Sequence, residues 1–425
     1  MYIDVKECES RCYFALGLLV YINNFFVDIF PCFKLISLHW GSIFVETKLK
    51  DMNRIIITGN GFDLAHGLKT KYEDFIFWCF EQYGYNLLHS SDLVVSDGLC
   101  SFKIKDGVNV PNWASVFKGW YYKREDPTIP WNERDVFFDA VQNKNLCDFS
   151  FTSLLFQRIW KQVSLGWVDI ENEYYSLLTE VKASFDKGFV KPDYKALNSQ
   201  LDILRNKLIQ YLKLECERAA PFIDNMHNIM YQPIKEREIS VAYKKMQNEN
   251  LIGDIKPNAT MFLNFNYTKT PERYISESSN TFVNYIHGNI ENPESVIFGY
   301  GDELDSSFKQ LQDMNDNECL RHIKSIHYLE SDNYRKMLEF IESDTFQVVI
   351  MGHSCGLSDR TLLNTLFEHD NCVSIMPYYH DKGEGKDDYL DKVQNISRNF
   401  TNPQLMRDRV VNKTYCSPLP QKGKE

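Results

Sequence analysis

The 425-residue chain carries 47 Lys and Arg against 58 Asp and Glu, a formal net charge of −11, with 44% hydrophobic and 25% charged residues. Such a composition supports a buried core and excludes a broad nucleic-acid surface, which needs a basic face. The length exceeds that at which single cores usually stop growing, so more than one structural unit is expected.

Residues 1–51 form an N-terminal extension. The uncharged run Tyr13–Val27 is fifteen residues long, short of the roughly 20 that span a bilayer. Its leader, MYIDVKECESR, is acidic as much as basic and no small-residue cleavage site follows, unlike a secretory signal. Neither a membrane span nor export is expected, and a cytoplasmic location is. Met52 reads as the natural start, because MNRIIITGNGFD opens at once into a strand and a glycine turn. Eleven cysteines without a C-x-x-C pair read as free thiols of a reducing compartment rather than disulfides or zinc ligands.

From Arg54 the pattern is α/β. RIIIT (54–58) is a short β-branched run of the buried kind; the turn Gly59-Asn60-Gly61-Phe62-Asp63 follows, then a helix over Tyr72–Phe80. Residues 85–255 read as a mainly helical insertion, with Leu197, Leu201, Leu204, Leu208 and Leu212 at helical spacing and a further helical stretch over Phe151–Tyr175. The core, 52–84, resumes over 256–400 with candidate strands TMFLNF (260–265), TFVNYI (281–286), SVIF (295–298), FQVVIM (346–351) and CVSIM (372–376). Helices are expected over 321–343 and Ser358–Glu368, with Asp359 pairing exposed backbone N–H groups at the second helix start. Residues 401–425 form a C-terminal tail. Strands alternating with helices predict a largely parallel sheet covered on both faces.

In such a sheet ligands bind beyond the carboxyl ends of the strands. The turns expected there are Gly59–Asp63, Asn266-Tyr267-Thr268, His287-Gly288, Gly299-Tyr300-Gly301-Asp302-Glu303 and Gly352-His353-Ser354. Singly, each has an ordinary reading as a turn glycine, a capping Asn, a satisfied loop histidine or a solvated acid pair; their recurrence after successive strands favours a shared pocket. Gly352-His353-Ser354-Cys355-Gly356 also spells the G-x-S-x-G nucleophile elbow. Only seventy-one residues follow Ser354, too little sheet to carry both an acid and a histidine, so Ser354 is expected to donate hydrogen bonds rather than attack.

With IIITGNGFDLAHGLKTKYEDF (55–75), GWVDIENEYYSLL (166–178), FNYTKTPE (265–272), YIHG (285–288), VIFGYGDE (296–303) and VVIMGHSCGLSD (348–359) in this order, the chain resembles the AbiH family of phage abortive-infection proteins. Cys355 departs from the bulkier apolar residue more usual there. The turns are also similar, more distantly, to sirtuin-like domains of phage-defence proteins. That likeness implies a Rossmann-type, sirtuin-like fold that binds NAD and hydrolyses its nicotinamide–ribose bond. Asn266 would position water or ribose, and His287 would serve as general base. Gly59, Asn60, Gly61 and Phe62 would admit the pyrophosphate, and Thr268, Gly288, Gly299, Gly352, Ser354 and Asp359 would complete the pocket. Thr268 replaces the acid of an Asn-Tyr-Asp turn, a carboxylate that Asp63 would supply, and GNGFD replaces a Gly-Ala-Gly turn. Without paired cysteines there is no zinc module, which argues against deacylation.

Two other functions fit the same residues: a non-catalytic nucleotide sensor or scaffold in phage defence, and a nuclease holding a divalent ion on Asp63, Asp302, Glu303 and Asp359. The leading reading needs no metal. Its expected partner is a small-molecule nucleotide, and a homo-oligomer is compatible with it.

Overall fold

Four runs of consecutive buried residues and one half-exposed edge run pair into one sheet in the computed structural model of the protein, which describes residues 52–89, 94–107, 147–163, 168–186, 193–218, 220–246, 253–275 and 280–423. They are β1 (Asn53–Thr58), β5 (Thr260–Asn264), β6 (Thr281–Tyr285), β7 (Phe346–Met351) and β8 (Cys372–Pro377), all parallel, in the order β6-β5-β1-β7-β8. Counted along the parallel strands this is 3-2-1-4-5, compatible with a Rossmann-like core, and the order reverses between β1 and β7.

The alternation of side chains across the pleat explains why the central runs carry apolar residues on both faces. Ile55 and Ile57 pack on one face with Met261, Leu263, Val348 and Ile350; Ile56 packs on the other with Phe262, Val349 and Met351. The first face is covered by α7 (Asn333–Ser343) through Met337 and Ile341, α8 (Arg360–Phe367) through Leu362 and Leu366, and α9 (Tyr389–Arg398) through Ile396. The second is covered by α1 (Asn60–Ala65), through Phe62 and Ala65, and by Met226 and Met230.

A third core belongs to α2 (Tyr72–His89), α3 (Leu154–Val163), α4 (Ile170–Asp186) and α5 (Tyr194–Cys216). All five leucines of the 197–212 repeat lie in it, and Asp193 caps α5 by accepting from the Ala196 amide at 2.9 Å. Within the stretch expected to be mainly helical, β2 (Val94–Ser96), β3 (Cys100–Ile104) and β4 (Cys147–Phe151) form an antiparallel sheet. Its strands are short and only β3 alternates cleanly in burial, a weak sequence signal.

Two further expectations are corrected. SVIF is not a strand: Pro293–Ser295 is a 3-10 turn, and the Pro293 and Val296 carbonyls accept from the Arg205 guanidinium rather than from a ladder. The 321–343 helix is two pieces, α6 (Lys324–His327) and α7, separated by the turn that places Tyr328. The described cysteines are all free thiols, and no helix among the described residues is long and apolar enough to cross a membrane. Cys8, Cys12, Cys32, the Tyr13–Val27 run and Trp167 lie outside the described residues.

Gly352 sits at φ 73°, and a Cβ there would lie 2.0 Å from the Phe62 amide nitrogen. Gly352→Ala is therefore expected to lower stability by about 3 kcal/mol or more, combining the left-handed backbone with overpacking. Gly383→Ala, at φ 81° with open space around it, should lose only about 1–2 kcal/mol. Urea melts of the two variants compare them; equal losses would show that the β1 and β7 turns are not locked together.

Candidate functional site

The turns at the carboxyl end of the sheet are tied to each other before any ligand is considered. Asn264, fully buried, accepts from the Thr58 hydroxyl at 2.8 Å and donates to the Thr268 carbonyl at 2.9 Å. Asn266 donates to the Gly59 carbonyl at 2.9 Å, joining the β5 and β1 turns. Gly61 donates to the Gly352 carbonyl at 2.7 Å, joining the β1 and β7 turns. Lys392 and Asn395 of α9, and Asn399 at its C-cap, donate to the successive carbonyls of His353, Ser354 and Cys355. These turns wall a cleft of about 1000 Å³ at the point where strand order reverses.

At its floor lies a charge network. Lys324 on α6, 1% exposed, donates to Glu171 Oε2 at 2.9 Å and to Asp359 Oδ1 at 2.8 Å. Asp359 in turn faces two imidazoles, His287 Nε2 and His353 Nε2, each at 3.5 Å. The Tyr328 hydroxyl lies 3.2 Å from His287 Nε2, and the two rings are parallel. Glu171 Oε1 accepts the Gly299 amide at 3.2 Å. All of these residues are buried.

Burial, ahead of the Lys324 charge, lowers the His287 pKa to about 3 against the pull of Asp359, so the imidazole is neutral at physiological pH. Burial also raises Glu171, to about 7, against the attraction of Lys324. Asp359 goes the other way: although burial pushes it up, Lys324, His353 and His287 outweigh that and hold it well below the usual carboxylate range. Lys324, despite burial, is held above its ordinary value by Asp359 and Glu171. The arrangement can therefore keep an ionised carboxylate beside a neutral imidazole at the buried floor of the cleft, which suits proton transfer.

Of the residues singled out in the sequence, Gly59, Asn60, Gly61, Asp63, Asn266, Thr268, His287, Gly352, Ser354 and Asp359 line this cleft. Three do not. Phe62 is fully buried against His66 and Tyr274. A Cβ on Gly288 or Gly299 would meet the Ser295 or His322 carbonyl oxygen at 2.0 Å, so these glycines permit backbone crossings behind the site. In the first turn, the Gly59, Gly61 and Phe62 amides donate to the Met351, Gly352 and Gly59 carbonyls. Asp359 stands at the start of α8 but makes no capping bond, its carboxylate being turned to Lys324.

Ser354 is exposed on the β7 turn, and the strained residue is its neighbour Cys355, at φ 56°. Burial pushes the Cys355 thiol up to about 12, so neither residue has the environment of an activated nucleophile. Three of the four carboxylates of the metal reading are turned to separate partners: Asp302 pairs with Arg360 at 3.2 Å, Asp359 with Lys324, and Asp63 with Thr268. Among the described residues no three His, Cys, Asp or Glu side chains are placed to hold a metal ion.

Sequence reasoning quoted the segments that hold Glu171 and His353 without giving either a role, and missed Lys324 and Tyr328. Glu171 had a signal: it shares a helix face with Tyr174 and Leu178, which are buried, and a carboxylate on an apolar face needs a partner. Lys324 had none.

Asp63 Oδ2 accepts from the Thr268 hydroxyl at 2.7 Å, so the acid missing at 268 stands directly against that position, while Oδ1 has no hydrogen-bond partner among the described residues. Burial raises its pKa from 3.8 to about 6, opposed by Thr270, Thr268 and Asn266. A carboxyl raised on folding contributes stability that is full below pH 4 and is lost as pH rises through 6. Asp63→Asn is expected to match wild type at pH 4 and to gain on the order of 3 kcal/mol at pH 8. Urea melts at both values test this; a pH-independent difference would refute it.

A model of the family described as "Bacteriophage abortive infection AbiH" matches residues 55–379. No curated protein and no solved structure matches the chain.

Proposed function

The chain belongs to the bacteriophage abortive infection AbiH family, and from that premise we propose that it acts in phage defence by binding NAD in the cleft and hydrolysing the nicotinamide–ribose bond. The observation that carries this reading is a neutral His287, backed by the ionised Asp359 at 3.5 Å, in one cleft with Asn266 and Asp63. The likeness of these turns to sirtuin-like domains supports the same choice of ligand.

In this reaction water bonds to C1′ of the nicotinamide ribose as the C–N bond breaks. Nicotinamide leaves with the bonding electron pair, and the proton lost from water or from a ribose hydroxyl passes to His287. Asp359 stabilises the imidazolium that results, as a buried carboxylate does for a catalytic histidine. Asn266, which lines the same cleft, would orient the attacking water or the ribose. The products are nicotinamide, ADP-ribose and a proton.

Purified protein incubated with NAD, with and without phage lysate, is expected to release nicotinamide in at least one condition. No release in either, with ADP-ribose still bound, would overturn the enzymatic reading and leave a nucleotide sensor.

A further inference from the structure

We propose that Lys392 and Arg398, on the cleft face of α9, form the subsite for the phosphate or pyrophosphate of the ligand. This rests on the reading that the cleft takes a nucleotide, and it relocates the anion from the first glycine turn, whose Gly59, Gly61 and Phe62 amides already donate to carbonyls, to α9.

Lys392, Asn395 and Arg398 recur every three residues along α9 and all line the cleft, beside Ser354 and Gly356 of the β7 turn. Lys392 is 8% exposed, and its Nζ donates to the His353 carbonyl at 3.2 Å. It has no carboxylate within 4 Å among the described residues, whereas Lys324, the other deeply buried lysine of the cleft, has two. Two turns of the same helix show that the carbonyl contact needs no charge: Asn395 and Asn399 perform it with neutral amides. A buried ammonium without a counterion is costly and is retained where an anion completes it. Lysine is a phosphate binder by point charge, with two N–H donors left after the His353 contact. Arg398, exposed at the cleft rim, donates to Asn395 Oδ1 and has no carboxylate within 4 Å among the described residues. A pyrophosphate seated here would meet the two cations and the Ser354 hydroxyl, leaving the ribose toward the His287 side.

The test is calorimetric binding of ADP-ribose, inorganic pyrophosphate and nicotinamide riboside to the full chain over a salt series. Wild type is expected to bind the two phosphate-bearing probes with salt-sensitive affinity. Lys392→Met should weaken both at least tenfold and flatten the salt dependence, leave nicotinamide riboside unchanged, and melt no lower than wild type without ligand. Arg398→Gln, at an exposed position, should weaken pyrophosphate severalfold and stands in if Lys392→Met does not fold. Unchanged pyrophosphate and ADP-ribose affinity in the variants, or no binding of either probe by wild type, overturns the subsite. If NAD is hydrolysed with an unaltered KM in Lys392→Met, the subsite falls while the reaction stands. If pyrophosphate binding depends on Lys392 in a protein that never releases nicotinamide, the subsite stands while the reaction falls.

Discussion

Lys324→Met is expected to destabilise the protein by about 3–5 kcal/mol at pH 7, the range for breaking a buried ion pair by removing one partner. The methionine fills most of the lysine's volume, so a cavity is not the cause. The loss comes from Glu171 and Asp359, which at present sit 2.9 and 2.8 Å from one ammonium and would face each other in a buried site without it. Protonation relieves that conflict, so the deficit should shrink toward pH 5 and grow toward pH 8. Adding Glu171→Gln to Lys324→Met should restore part of the loss, since one negative charge then remains in place of two. Lys309→Met, which breaks a largely exposed pair with Asp313 at 2.9 Å, should leave the urea midpoint unchanged, because water screens it. A Lys324→Met variant as stable as wild type would mean that the network is not assembled in the folded protein.

His287→Gln is expected to reduce nicotinamide release by about 10²–10⁴-fold, the usual contribution of a positioned general base. The side chain is neutral, backed by Asp359 and packed between Phe265 and Tyr328, with ring centroids at 5.1 and 6.0 Å. A glutamine retains polarity and much of the volume but cannot accept the proton. ADP-ribose affinity and the melting temperature should therefore stay near wild type, so that the loss appears in kcat rather than KM. Undiminished release from His287→Gln would remove this histidine from the chemistry. Asn266→Ala is expected to lose activity as well as the bond to the Gly59 carbonyl, so its stability and its rate must be read together.

The two predictions test different depths of legibility. Four of the parallel strands, β1, β5, β7 and β8, were readable because each is buried along its whole length, and a strand so placed must be largely apolar: RIIIT and FQVVIM admit hardly any other reading. The residues immediately after those strands were readable too, since parallel pairing brings every carboxyl end to the same edge of the sheet. Asp63, Asn266, His287 and Gly352 were found in this way. SVIF misled because a β-branched run becomes a strand only where a neighbouring backbone lies alongside, and here Arg205, ninety-one residues away from Val296, takes the carbonyl.

What the sequence by itself determined is the family, the α/β sheet and the carboxyl-edge turns, all carried by contiguous motifs whose local pattern dictates local structure. What the tertiary structure decided is which chemistry those turns share. Lys324 meets Glu171 from 153 residues away and Asp359 from 35, and Lys392 reaches the His353 carbonyl across 39. A charge declares its partner only when the chain is folded, because a buried ion is tolerated through distances in space and not through spacing in sequence. For the same reason the glycines changed meaning: their backbone freedom was visible in the sequence, but only the packing of the β1 turn against Gly352 showed that another segment of the protein occupies the space they leave.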